Sequence, residues 1–272
     1  MIHETIALWD KHPEATLTSY CITSTDELKL SPRRAVVVCP GGGYHFLSDR
    51  EAEPIVKEFL AAGLNAFLLR YTVKEGAANY APLIQASLAI KHIRENAEKY
   101  HIDPNRVFIV GFSAGGHLAA STGILWNIPE VREALGDAPE GINKPTGMIL
   151  SYPVITGYEF AHRNSINHLC GKKDNTDEEI RRFSLEYHVD ETTVPAFIWH
   201  TFDDKVVPIQ NSLLLADALT RAHIPFELHI FPKGPHGGAL CTTETWSENP
   251  AMIMPNCAEW IRLAVTWIRS FS

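Results

Sequence analysis

Apolar positions along this chain follow two alternating periods, with short β-branched runs each followed by a longer stretch whose apolar residues repeat at helical spacing. Ala35-Val36-Val37-Val38-Cys39 is apolar throughout, as a strand covered on both faces must be, and Pro40 with Gly41, Gly42 and Gly43 ends it. From Asp49 to Ala62 the residues Ile55, Val56, Phe59 and Leu60 share one helical face, and Gly63 provides the stop. Leu64 to Tyr71 predicts the next strand. Ala81 to Tyr100 predicts a long helix, apolar at Leu83, Ile84, Leu88, Ile90 and Ile93. Asp103-Pro104-Asn105 predicts a turn, and Arg106 to Gly111 a strand running straight into Ser113. Further along, Thr146–Tyr152, Ala196–His200 and Phe226–Phe231 predict strands, whereas Asn211–His223 and Ala258–Ser270 predict helices.

Such alternation predicts an α/β fold, a central mostly parallel sheet flanked by helices. Two stretches break the rhythm, 155–193 and 240–255. The first is polar, with His162, His168 and an acidic run from Asp174 to Glu179. Both read as insertions above the sheet, where such segments shape substrate access. With 272 residues, the chain is expected to be one domain carrying a small cap.

Charge and cysteine usage narrow the partners. A net charge of -8 argues against a polyanion such as nucleic acid, whose binding relies on dense Lys and Arg. No apolar run approaches the ~18–20 residues that span a bilayer, so no membrane partner is expected. Met1-Ile2-His3-Glu4 lacks the basic start of a secretory signal. Five scattered cysteines without a C-x-x-C pair fit a reducing, cytoplasmic setting.

The densest chemical signal is Val110-Gly111-Phe112-Ser113-Ala114-Gly115-Gly116, a G-x-S-x-G placed between a predicted strand and the helix-forming run His117–Thr122. A serine on such a tight turn is lifted above the sheet and faces a helix N-terminus, where developing negative charge is favoured. This makes Ser113 the candidate nucleophile. Acyl transfer also needs amide donors for an oxyanion, and Pro40-Gly41-Gly42-Gly43-Tyr44 offers flexible backbone after a strand; the donors are assigned to the amides of Gly42, Gly43 and Ala114. A phosphate-binding loop is the competing reading, but no G-K-[ST] follows and Phe46 stands where G-x-G-x-x-G needs its third glycine.

An acid and a base must follow. The Ala196–His200 strand leads into Thr201-Phe202-Asp203-Asp204-Lys205-Val206-Val207-Pro208, a rim position for an acid. Asp203 and Asp204 both compete for the role; the pattern D-x-x-V-P favours Asp204, with Asp203 left to support the loop or substitute in part. Among 13 histidines, His236 alone lies in a Gly/Pro-rich loop after a strand and last in chain order. His117 is expected to pack behind the elbow, His200 to face the interior, and His45 to line the pocket. Neither H-E-x-x-H nor a cysteine pair is present, so no metal and no cofactor are expected.

With these residues in place the chain resembles the α/β-hydrolase superfamily, in its acetyl-xylan-esterase and carboxylesterase type near the hormone-sensitive-lipase-like branch. The resemblance spans nearly the whole chain. It rests most on G-F-S-A-G-G-H-L-A at Gly111 to Ala119, H-T-F-D-D-K-V-V-P at His200 to Pro208, and G-P-H-G-G at Gly234 to Gly238. Pro40 departs from related lipases, which carry His there. The resemblance implies a serine esterase acting on small acyl esters, with acetylated sugars or xylan among the candidate substrates, through a Ser113–His236–Asp204 triad and an acyl-enzyme. A dipeptidyl-peptidase-like amidase and a non-catalytic binding protein on the same fold are the alternatives. The oligomeric state is left open.

Overall fold

Eight strands form one sheet among the described residues, 1–271, of the computed structural model. They are β1 (Ile2–Ala7), β2 (Thr16–Cys21), β3 (Arg33–Cys39), β4 (Asn65–Arg70), β5 (Ile102–Phe112), β6 (Met148–Ser151), β7 (Ala196–Thr201) and β8 (Phe226–Phe231). Their order across the sheet is β1-β2-β4-β3-β5-β6-β7-β8. From β4 to β8 all neighbours are parallel; β1 and β2 add an antiparallel edge. The expected architecture, a mostly parallel sheet flanked by helices, is the one observed.

Strand alternation divides the core into two layers. Val37, Cys39, Ile109, Leu150 and Ile198 face the helices Ala81–Glu95, Ala114–Ile124 and Gln210–Arg221. Val36, Val38, Val110, Ile149 and Phe197 face the helices Glu53–Ala61 and Trp260–Ser270. Because successive side chains point to opposite faces, both faces of the central strands must be apolar, which is why these strands read as unbroken hydrophobic runs. Each large side chain so buried contributes roughly 1.5–3 kcal/mol.

The structure departs from the sequence reading at several boundaries. β1 and β2 were not expected, because Ile2–Ala7 alternates half-buried and exposed residues and has no continuous apolar run. The predicted 81–100 helix ends at Glu95, where the Asn96 side chain donates to the His92 carbonyl at 2.8 Å and a separate turn, Ala97–Tyr100, follows. The Asp103–Asn105 turn forms as a bulge within β5: Arg33 pairs with Ile102 but Ala35 pairs with Val107, and Asp103 Oδ1 accepts the Asn105 amide at 2.9 Å. The closing helix is broken into Pro255–Ala258 and Trp260–Ser270. No helix among the described residues is long and apolar enough to cross a membrane.

The two insertions differ in character. Residues 155–193 carry the helices Arg163–Cys170 and Asp177–Arg182 and the short turn Leu185–Tyr187. They are anchored by Asn211, which is fully buried at the start of its helix. Its Oδ1 accepts the amides of Ile155 at 2.8 Å and Thr156 at 3.1 Å, while Nδ2 donates to the carbonyls of Phe160 and Pro208 at 2.9 and 3.1 Å. Residues 240–255 pack inward instead, burying Leu240 and Cys241 in the layer that holds Trp260.

Asn211→Ala would strand two buried backbone amides and the Phe160 carbonyl, while the Pro208 carbonyl keeps the residue 211 amide. It is expected to lower unfolding free energy by about 2–4 kcal/mol in urea titration, and limited proteolysis should cut first within 155–193.

Candidate active site

Gly111, at the end of β5, opposes Cys39 of β3 and Leu150 of β6, so the elbow rises where three parallel strands end. A Cβ on Gly111 would lie 1.9 Å from the Gly115 carbonyl oxygen, and one on Gly115 would lie 2.2 Å from that of Cys39. Strand, turn and helix therefore meet backbone to backbone, which only glycine permits. Between them Ser113 is held at φ 54°, ψ -116°, a conformation costing on the order of 1–3 kcal/mol. Its amide donates to the Ser151 carbonyl at 3.0 Å and its carbonyl accepts the Val154 amide at 3.1 Å, ties that hold the turn against relaxation. The side chain is 7% exposed and opens into a cavity of about 580 Å³.

The three distant residues converge. His236 Nε2 lies 2.8 Å from Ser113 Oγ, and its Nδ1 lies 2.6 Å from Asp204 Oδ2. With Nδ1–H donating to the carboxylate, Nε2 is left free to accept the serine proton. Asp204, 5% exposed, has its other oxygen filled by the amides of Val206 at 2.9 Å and Val207 at 3.0 Å. Burial alone would push this carboxyl up. Hydrogen bonds from His200 and His236, the charge of His236 and the Val207 amide outweigh it and hold Asp204 well below the usual carboxylate range. Asp203 points elsewhere: its Oδ1 accepts the Gly234 amide at 2.7 Å, tethering the loop that carries His236. His200 is buried as expected, donating from Nε2 to the Val207 carbonyl at 2.9 Å and lying 3.4 Å from Asp204 Oδ2.

Above the serine, Gly42 adopts φ 127°, and a Cβ there would meet the Phe46 carbonyl oxygen at 2.0 Å. Gly42, Gly43, Ser113 and His236 all line the cavity, and Ala114 opens the helix next to Ser113. His45 lines the cavity as expected, with its ring 5.5 Å from that of His168, and Phe46, 57% exposed, stands at the mouth. The 155–193 insertion supplies His162, Asn164 and His168. Residues 240–255 supply no lining residue of this cavity; Ala251 and Met254 border a separate hollow behind His236. Among the described residues no three His, Cys, Asp or Glu side chains converge as metal ligands.

A family profile, BD-FAE, matches residues 25–219. The chain belongs to the BD-FAE family. Similar proteins include the endo-1,4-beta-xylanase B of Butyrivibrio fibrisolvens, 40% identical over 79% of this chain and 34% of that protein. The acetylxylan esterase of Xylanibacter ruminicola is 30% identical over 84% of this chain and 45% of that protein. The chain thus spans under half the length of these two relatives. Among solved structures, the acetyl ester-xyloside bifunctional hydrolase from Caldicellulosiruptor lactoaceticus superposes with a TM-score of 0.82 at 34% identity, covering 98% of this chain and 96% of that one. The carboxylesterase Cest-2923 from Lactobacillus plantarum WCFS1 gives 0.84 at 29% identity, covering 99% and 97%. The α/β-hydrolase resemblance read from the motifs is therefore matched in sequence and in fold.

Several residues of this BD-FAE member's site were not legible beforehand. Arg50 and Glu51 were read only as part of a helix, and Tyr152 only as the end of a strand. Arg50 Nη1 donates to the Gly237 carbonyl at 2.9 Å and the Thr245 carbonyl at 3.2 Å. His162 packs against Gly43, with its Nδ1 2.8 Å from Ser165 Oγ. Burial first, then the charge of His236, lowers the His162 pKa, while Asp204 opposes the shift. The available signal was weak: histidines on a polar insertion do not declare which way they face.

His117, on the helix behind Ser113, is packed as expected and is also a tie. Its Nε2–H donates to the Phe183 carbonyl at 2.9 Å and its Nδ1 accepts from the Tyr44 hydroxyl at 3.0 Å. Burial lowers its pKa to about 4, partly opposed by the Phe183 carbonyl. An unfolded histidine titrates near ~6.5. As pH falls from 6.5 to 4, the unfolded chain takes up a proton that the folded chain refuses, so stability drops across that window. Urea unfolding at stepped pH should show wild type losing on the order of 2–3 kcal/mol more than His117→Gln between pH 6.5 and 4. Equal losses would contradict the buried neutral imidazole.

Proposed function

We propose that this chain hydrolyses small carboxylic esters through an acyl-enzyme on Ser113, with acetyl esters of sugars or xylan among its substrates. The observation that carries the reading is the continuous hydrogen-bonded line from Ser113 Oγ through His236 to Asp204 at the floor of an open cavity. His236 takes the Ser113 proton as the hydroxyl attacks the ester carbonyl, and Asp204 holds the imidazole in the tautomer that can accept it. The amides of Gly42, Gly43 and Ala114 receive the oxyanion. The alcohol leaves with the proton from His236; water, deprotonated by the same imidazole, then releases the acid and restores the serine.

The acetylxylan esterase among the relatives, the acetyl ester-xyloside hydrolase and the carboxylesterase support ester chemistry, and the xylanase relative adds support for a xylan-linked substrate. The lining supports a polyhydroxylated partner as well, since His45, His162, Asn164 and His168 offer hydrogen-bonding groups around the cavity. We read residues 1–272 as one domain with 155–193 as its cap. The five free thiols support a reducing, cytoplasmic workplace.

Hydrolysis of a short-chain aryl ester should fall roughly 10⁴–10⁶-fold in Ser113→Ala, and a fluorophosphonate probe should label wild type at Ser113 only. Equal rates for wild type and Ser113→Ala would remove the reading. The two aspartates should separate sharply. Asp204→Asn is expected to lower kcat by about 10³–10⁴-fold. Asp203→Asn, which leaves the imidazole's partner intact, should cost no more than about 10-fold by loosening the Gly234 tether. A reversed ranking would reassign the acid.

A further inference from the structure

The oxyanion loop follows β3 and the histidine loop follows β8, strands that are not neighbours in the sheet, and a buried polar link joins the two loops. The Gly41 amide donates to Glu51 Oε2 at 2.8 Å, the Tyr152 hydroxyl donates to Glu51 Oε1 at 2.7 Å, and the Ala239 amide donates to the Tyr152 oxygen at 2.9 Å. Glu51 is 3% exposed, and Gly41, Tyr152 and Ala239 are buried with it. A Cβ on Gly41 would lie 2.6 Å from Glu51 Oε2 and 3.1 Å from Ser113 Cβ, so the carboxyl group, the glycine and the nucleophile are stacked with no slack. The Tyr152 ring packs edge-on against the His236 imidazole, centroids 5.0 Å apart.

The direction of each hydrogen bond follows from the inventory of donors. Ala239 N–H can only donate, so the phenol oxygen accepts there and sends its own proton to Glu51. Burial, then the Glu51 carboxyl beside it, pushes the Tyr152 hydroxyl well above its ordinary range, so it keeps that proton. Both Glu51 oxygens therefore act as acceptors for neutral groups. A buried acid of this kind is costly and contributes little to stability unless it fixes a geometry. The turn that carries it sends Arg50 to the Gly237 carbonyl as well, so Arg50 directly and Glu51 through Tyr152 hold the histidine loop on both sides of Gly238.

We propose that Glu51, acting through Tyr152, is a positioning residue that locks the oxyanion loop to the loop carrying His236, so that the amide donors and the general base keep one spacing about Ser113. The inference rests on the hydrolase reading above. Glu51 lines the cavity, but its oxygens are taken up by the Gly41 amide and the Tyr152 hydroxyl, and neither side chain hydrogen-bonds Ser113 or His236. Their effect falls on the transition state, where donor and base must act on the same carbon within a fraction of an ångström, and little on ground-state binding.

Glu51→Gln and Tyr152→Phe test it in the full chain, because both keep side-chain shape and remove one link each. With a short-chain aryl ester, each is expected to lower kcat about 10–100-fold while KM stays within about threefold, and the rate of fluorophosphonate labelling at Ser113 should fall in parallel. The double variant should lose little more than the worse single, since either change breaks the same link. Melting temperatures, measured alongside, separate this from general destabilisation: the kcat loss should persist at temperatures well below the melting of every variant. If wild type is active and either folded single variant keeps kcat within twofold, or the two losses multiply in the double variant, the proposal fails alone. A wild type that neither turns over ester nor takes the probe removes the hydrolase reading, and this proposal with it.

Discussion

The site depends on one constraint, the backbone-to-backbone contact of Gly111 with Gly115 and of Gly115 with the end of β3. That contact allows the strand to reverse into a helix within a single residue and leaves Ser113 in a left-handed conformation. The strain is local, and it is opposed by forces that are not: three parallel strands end at the same level, and their apolar layers fix where the elbow can be. A strained residue survives only where the surroundings over-determine it. Here the surroundings are the two faces of the central sheet, whose burial is far larger in aggregate than the cost at one residue.

Given that elbow, the remaining groups are held by electrostatics at short range. A carboxylate as buried as Asp204 would ordinarily be neutralised by protonation. Four polar partners keep it ionised instead: the amides of Val206 and Val207 on Oδ1, and two histidines, His200 and His236, at Oδ2. His200 is itself fixed by the Val207 carbonyl and by Ser212, so the acid's environment is built from its own loop and the helix after it. The loop Thr201–Pro208 thus supplies the charge and two of the four groups around it, the amides of Val206 and Val207.

The fold, and the three residues Ser113, Asp204 and His236 that lie together in the structure, were largely legible in the sequence because each signal was local. Buried parallel strands announce themselves as apolar runs, and the elbow, the D-x-x-V-P pattern and the histidine in a Gly/Pro-rich loop each lie within a few residues. What escaped was non-local. Ile2–Ala7 and Thr16–Cys21 become strands by pairing with each other and with β4, and no single-segment period announces that partnership. Glu51 and Arg50 looked like ordinary helix-start polar residues, since nothing near them in the chain indicates that they face residues almost two hundred positions away or more than a hundred. The inward packing of 240–255 escaped for the same reason: its turn residues imply a surface loop, while Leu240 and Cys241 fill space beside Trp260.

The pair Asp203–Asp204 illustrates how a sequence ambiguity can dissolve rather than resolve. Read along the chain, the two carboxylates compete for one role. In three dimensions consecutive residues leaving a strand diverge, so they reach the same loop from different directions: Asp204 meets His236 at Nδ1 while Asp203 takes the Gly234 amide two residues earlier. A loop rich in glycine and proline has few side chains of its own to fix it, and an imidazole carried by it would wander. Two adjacent acids, one on the ring and one on the backbone, remove that freedom from opposite ends of a three-residue span, and so hold the imidazole Nε2 within hydrogen-bonding distance of the Ser113 hydroxyl.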